Sequence, residues 1–217
     1  MSEKKITIGI PGWKTGENSY GCGVNHLDYI SRFGNPRILF PQDDNAEIDL
    51  LYLPGGPDVN PAAYGQMPGF YTSNQDVFKQ YFYDRCLPKY IERGTPVFGV
   101  CLGMQMLNTF FGGGLHQDMK YHAQSKDRWE PGHEVTIVIG NKKYEVKVNS
   151  HHHQAVLSSD LAKDFIPIAF AKNEEDKKDD IIEAFIHKEL PIAGVQWHPE
   201  EWRDEFAESL IKKILQK

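Results

Sequence analysis

Three short stretches carry residue types that could perform nucleophilic chemistry together. The first is Gly99-Val100-Cys101-Leu102-Gly103, where an apolar run ends and a stretch with helical spacing begins. A thiol flanked by glycines at a strand-to-helix turn has the form of a nucleophile elbow, with Cys in place of Ser. The turn is tight, so Gly99 and Gly103 must lack side chains where strand and helix approach. Cys101 would then project from the carboxyl end of a sheet, above the positive end of the following helix, which favours the thiolate. A buried cysteine that merely packs is the competing reading. It suits Cys86, which falls in a helical stretch, better than Cys101, while Cys22, in a Gly-flanked loop, takes no assignment.

A thiol nucleophile needs a base within hydrogen-bond reach, and the base needs a third group to fix its tautomer. The second stretch, Gln196-Trp197-His198-Pro199-Glu200, supplies both as His198 and Glu200. Pro199 stops the strand and lets residues two apart converge on one side. Glu201 is the competing carboxylate, but it is expected in the first turn of a closing helix, where a negative charge meets the helix dipole. The third stretch, Pro54-Gly55-Gly56-Pro57, follows an apolar run. Its backbone N–H groups, with that of Leu102, could face a tetrahedral oxyanion, although a tight turn alone would also explain the glycines.

The elements that must position these groups alternate along the chain. Strands are expected at residues 6–10, 37–40, 50–53, 97–100, 135–139, 144–148, 181–186 and 192–196, and helices at 25–33, 76–93, 103–111 and 201–215. Alternation in the first half implies a parallel sheet with helices on both faces. The pair of strands around Gly140-Asn141 implies an antiparallel hairpin, giving an α/β sandwich with a mixed extension. At 217 residues without an internal repeat or linker, the chain is expected to form a single domain, 1–217. The charged run at 172–180 is expected to be a solvated loop tip.

Composition narrows the partners. A net charge of −6 and no block of Lys or Arg beyond pairs give no field that would gather phosphates or anionic lipid, so neither nucleic acid nor membrane is an expected partner. The first residues lack a signal-peptide apolar region, and the protein reads as cytoplasmic. Three cysteines at wide, irregular spacing suit neither a disulfide framework nor a C-x-x-C zinc site.

Taken in order, Pro54-Gly55-Gly56-Pro57, Gly99-Val100-Cys101-Leu102-Gly103-Met104-Gln105 and Gln196-Trp197-His198-Pro199-Glu200 resemble the class I glutamine amidotransferase superfamily. Within it the chain is most similar to the gamma-glutamyl hydrolase and gamma-glutamyl-GABA hydrolase branch. Gly56-Pro57-Asp58-Val59-Asn60-Pro61 with Tyr64-Gly65, Gly113-Gly114-Leu115-His116-Gln117-Asp118 and Val148-Asn149-Ser150-His151-His152-His153-Gln154-Ala155-Val156 also resemble that branch. The resemblance spans residues 50–205. It implies a flavodoxin-like three-layer α/β sandwich, a catalytic triad of Cys101, His198 and Glu200, a gamma-glutamyl thioester, and no metal or other cofactor. By motif matching, Gly56 and Leu102 would form the oxyanion hole, Gln105 would hold the glutamyl head group, and Ser150 and His152 would line the substrate pocket. The run of three histidines does not change the expectation of no metal, because adjacent positions on a strand point to opposite faces and chelate poorly.

The expected activity is hydrolysis of a small gamma-glutamyl amide, glutamine or a gamma-glutamyl amine, with release of glutamate and ammonia or amine. An alternative is a glutaminase subunit that supplies ammonia to a separate synthetase, which requires a protein partner. A catalytically silent binding protein on the same fold is a third reading, though such proteins usually lose a triad member and this chain keeps all three. Two departures concern the leaving-group side. Leu102 stands where many hydrolases of the GABA branch carry Arg, and Lys79-Gln80-Tyr81-Phe82-Tyr83 stands where they tend to carry Arg-Asp and Glu. The first 45 residues match only loosely, with a Gly-rich loop at 16–23 that could border the site.

Overall fold

The computed structural model describes residues 6–73, 76–120, 122, 127, 129–202 and 204–216. Runs such as Leu50-Leu51-Tyr52-Leu53 and Val97-Phe98-Gly99-Val100 are buried at every position, as strands covered on both faces must be. The strands are β1 (Thr7–Pro11), β2 (Trp13–Gly16), β3 (Ser19–Gly21), β4 (Asn35–Leu39), β5 (Leu50–Leu53), β6 (Val97–Val100), β7 (His133–Ile139), β8 (Lys142–Val148), β9 (Val156–Leu157), β10 (Phe165–Ala171), β11 (Ile181–His187) and β12 (Ile192–Val195). The helices are α1 (Val24–Ser31), α2 (Val77–Arg85), α3 (Leu87–Glu92), α4 (Leu102–Phe110) and α5 (Glu205–Leu215).

The main sheet runs β4-β1-β5-β6-β12-β11-β10-β7-β8, with β9 added to β11. From β4 to β12 every pairing is parallel, and from β12 to β8 every pairing is antiparallel. Alternate side chains divide the core in two. Tyr52, Phe98, Val100 and Val195 pack with Tyr29 and Ile30 of α1 and Leu210 and Ile211 of α5. On the opposite face Leu51, Leu53, Val97 and Ile192 pack with Phe82, Leu87, Met104 and Leu107 from α2, α3 and α4. The result is the expected three-layer α/β sandwich with a mixed sheet.

Four local expectations are corrected. The stretch 76–93 is two helices, because Pro88 lies in the first turn of α3 and cannot donate the backbone hydrogen bond that a continuous helix needs. The last helix starts at Glu205, capped by the Asp204 carboxylate, which accepts from Ala207 N at 2.8 Å; Glu201 therefore lies outside its first turn. Strand β10 was not expected, since Pro167 interrupts its pattern, and the pairing with β11 shifts register between Pro167 and Ala169. The Gly-rich loop at 16–23 contains part of a small hairpin, β2-β3. Among the described residues no helix is long and apolar enough to cross a membrane.

Candidate active site

Parallel strands release their chains at the same edge of a sheet, and that edge is where open α/β sheets place their sites. Here β5, β6 and β12 are neighbours, with Leu53 opposite Gly99 and Val100 opposite Val195. Pro54, Cys101 and Gln196 each follow directly at the carboxyl ends, so the three stretches singled out by their chemistry leave the sheet side by side. The Cys101 N–H donates to Val195 O at 2.8 Å, which ties the Cys101 turn to the strand that leads into His198.

Cys101 has φ 49° and ψ −108°, and it is the only non-glycine with positive φ among the described residues. It is also the N-cap of α4. Such backbone is costly for an L-residue and persists only where its surroundings over-determine it. The surroundings are Gly99 and Gly103. A Cβ on Gly99 would lie 2.6 Å from Gly103 C, and one on Gly103 would overlap the Leu53 carbonyl oxygen. The other thiols differ: burial pushes both Cys22 and Cys86 up to about 11, keeping them protonated.

His198 and Cys101 both border the Gly55 position, and His198 Nδ1 lies 2.8 Å from Glu200 Oε1. Cys101 is 5% and His198 8% exposed, so the pair is nearly closed from solvent. Burial alone would depress the His198 pKa, but Cys101 first and then Glu200 hold it well above the usual imidazole value. Burial would raise Glu200, yet the His198 contact and the nearby His26 keep that carboxyl below its ordinary range. Glu201 turns elsewhere, its Oε1 accepting from Asn25 Nδ2 at 3.4 Å.

Three supporting residues had no role at the sequence level. Asn149 is fully buried and brackets the His198 backbone, donating to its carbonyl at 3.0 Å and accepting from its N–H at 2.9 Å. His26 lies 3.6 Å from Glu200 Oε1 and shares a hydrogen bond with Tyr52 OH at 3.1 Å. Lys79 is 6% exposed; its ammonium donates to the Gly55 carbonyl and sits 4.1 Å from the centre of the Trp13 ring. Burial lowers its pKa to about 8. Asn149 lies inside a quoted motif and Lys79 in a noted departure, but nothing in the sequence marked His26.

The glycine loop closes over the pair. A Cβ on Gly55 would lie 2.8 Å from His198 Cε1 and 3.6 Å from Cys101 Cβ, and one on Gly56 would meet Leu102 Cδ2 at 2.7 Å. Gln105 is buried in α4, donating to Gln154 O at 3.0 Å and Gln196 Oε1 at 3.1 Å. Ser150 is fully buried next to Asn149. The three consecutive histidines go to three places. The His151 ring lies 6.3 Å from that of His198. His152 Nε2 lies 2.9 Å from His122 Nε2, within a buried group that also holds His133 and Glu183. His153 Nε2 reaches Asp58 at 3.0 Å and its Nδ1 reaches Asp118 at 3.3 Å.

Residues 39–200 match the family model described as Peptidase C26. A glutamine amidotransferase-like protein of Lactococcus lactis, YvdE, is 31% identical over 207 residues, covering 87% of this chain and 84% of that one. The carbamoyl phosphate synthase small chain of Metallosphaera sedula is 27% identical over 182 residues, 82% of this chain and 42% of that one. Among solved structures, PurLQS from Thermotoga maritima superposes with a TM-score of 0.64 at 17% identity, covering 98% of this chain and 99% of that one, a likeness of fold.

Proposed function

The chain belongs to the Peptidase C26 family, and on that premise we propose that it hydrolyses the side-chain amide of glutamine or of a gamma-glutamyl amine through Cys101. The observation that carries this reading is the strained Cys101 turn at the tip of β6, beside a histidine whose Nδ1 a buried carboxylate holds.

With Nδ1 held by Glu200, the remaining nitrogen of His198 is the one that serves the sulfur. Sγ attacks the delta carbonyl, the carbonyl π electrons move to oxygen, and their return expels the nitrogen as His198 gives it a proton. The product is a gamma-glutamyl thioester and a free amine or ammonia. Water, losing a proton to His198, then attacks the thioester, and the C–S bond breaks to leave glutamate and the resting sulfur.

Lys79 supports Gly56 as an oxyanion donor. The Gly55 carbonyl and the Gly56 N–H belong to one peptide, and no described peptide is cis, so the two groups point in opposite directions. An ammonium drawing the carbonyl one way aims the N–H the other. Neither the Gly56 nor the Leu102 N–H is taken by an acceptor among the described residues. We assign Gln105 and Ser150 to the shape of the glutamyl pocket, with His152 backing that segment from the buried group it forms with His122, His133 and Glu183.

The test is a panel of gamma-glutamyl amides and glutamine assayed with the protein alone and with Cys101→Ser. Turnover of at least one member, lost in the variant along with rapid iodoacetamide labelling, is expected. Equal turnover in the variant would sink the mechanism. The relation to a synthase small chain favours a second reading, ammonia supply to a partner. In that case glutamine turnover rises sharply on adding a synthetase subunit, whereas a stand-alone hydrolase needs none.

A further inference from the structure

His122, His133, His152 and Glu183 come from four separate segments: the loop after α4, the first residue of β7, the segment after β8, and the middle of β11. Their donor atoms converge. His122 Nε2 lies 2.9 Å from His152 Nε2, and Glu183 Oε1 lies 3.1, 3.6 and 3.8 Å from the Nε2 atoms of His133, His122 and His152. The ligand atoms of His122, His133 and Glu183 all fall within 4.8 Å of one another, and His152 joins this trio through its approach to His122 and Glu183. Neighbouring ligands on a tetrahedral ion with bonds of ~2.0 Å stand roughly 3.3 Å apart, so the observed separations bracket that value.

From this arrangement we propose that the chain holds a structural divalent transition-metal ion of the zinc type, bound by His122, His133, His152 and Glu183.

Two further observations point to a ligand. Glu183 is fully buried, and its Oε2 has no hydrogen-bond partner among the described residues, an expensive state for a carboxylate unless a cation faces it. His152 Nδ1 bonds Gln154 O at 2.9 Å, which makes Nδ1 the donor and leaves Nε2 with its lone pair aimed at the cluster. A backbone carbonyl fixing the far nitrogen in this way is the usual outer support of a metal-bound imidazole. Three imidazoles and one carboxylate select zinc-like ions over magnesium or calcium, which take oxygen donors. The site lies in the interior with four protein ligands, the pattern of a closed, structural centre.

The ion would brace the catalytic histidine. Glu183 O accepts from Gln196 N at 2.8 Å, two residues before His198, and His152 lies three residues after the Asn149 that brackets the His198 backbone.

The experiment uses the full chain without a histidine tag, expressed with zinc in the medium. Metal content is measured by mass spectrometry for the wild type, Cys101→Ser, His133→Gln and Glu183→Gln. One zinc per chain is expected in the wild type and in Cys101→Ser, with loss in the other two. After chelator treatment, added zinc should raise the melting temperature of the wild type. Cobalt(II) should give the intense visible bands of a four-coordinate ion. Because a ligand variant could fail to fold, the wild type decides: less than a tenth of an equivalent of metal together with no zinc-dependent rise in melting temperature overturns the proposal. So does metal that disappears with Cys101→Ser, which would place it on the catalytic thiol. The reverse outcome for catalysis, no turnover of any gamma-glutamyl amide, leaves the metal measurement standing.

Discussion

At Cys101 the backbone adopts a conformation that glycine would occupy at lower energy. Replacing it with Gly or with Ala removes the thiol equally, but only Gly relieves the strain at φ 49°. Cys101→Gly is therefore expected to be more stable than Cys101→Ala by about 1 kcal/mol, a rise in melting temperature of roughly 2 to 4 °C for a chain of this size. Equal melting of the two would show that the turn is relaxed. Glu200 has a different signature. Its charge helps hold the His198 proton, so Glu200→Gln should move the alkaline limb of kcat/KM to lower pH by about one pH unit, since a less stabilised imidazolium loses its proton earlier. Turnover should also fall on the order of 10²- to 10⁴-fold, while Glu201→Gln leaves both nearly unchanged. Cys101, His198 and Glu200 were legible because each sits in a short motif. His26 was not, because its place beside Glu200 depends on α1 packing over Tyr52 of β5, which no local spacing records.

The elements were legible in proportion to how far one rule decided them. Strands β5, β6 and β12 are buried on both faces and read as continuous apolar runs. In β10, Phe165-Ile166-Pro167-Ile168 breaks the strand pattern with a proline that the register shift against β11 accommodates. The stretch from Asp76 carries helical spacing across Cys86, but spacing does not register the missing N–H of Pro88. Where α4 meets β5 the packing leaves no slack: Gly103→Ala would drive a methyl into the Leu53 carbonyl oxygen. That contact is with backbone and cannot be relieved by a rotamer change, so denaturant melts should show a loss of 3 kcal/mol or more, on the order of the largest core effects. Gly112→Ala makes the contrasting control, since its Cβ would meet nothing within 4 Å and only the φ of 83° opposes it. About 1 kcal/mol is expected there.

For the molecule as a whole, Lys79 sets a pH dependence of the same sign as the one that acid-labile carboxylates give, but in an alkaline window. Its pKa falls from 10.5 to about 8 on folding, chiefly through burial. The unfolded chain thus binds a proton that the folded chain has released between pH 8 and 10.5, and stability rises with pH across that window. Relative to Lys79→Met, the wild type should gain up to about 3 kcal/mol between pH 7 and 10.5, read from denaturant melts of both. A constant difference would mean that the ammonium is charged throughout. The parallel half of the sheet explains why the stretches after β5, β6 and β12 meet, and that much followed from sequence order. The convergence of His122, His133, His152 and Glu183 did not, because it is assembled from segments more than sixty positions apart at their ends. His151, His152 and His153 make the same point in another currency, that of inheritance. Their side chains lie beside the His198 ring, in the buried cluster and on the Asp58–Asp118 pair in turn. Losing or gaining one histidine in this run leaves the local sequence almost unchanged. It nevertheless shifts the spacing between Asn149 and Gln154, so a length change that looks silent would disturb three sites at once.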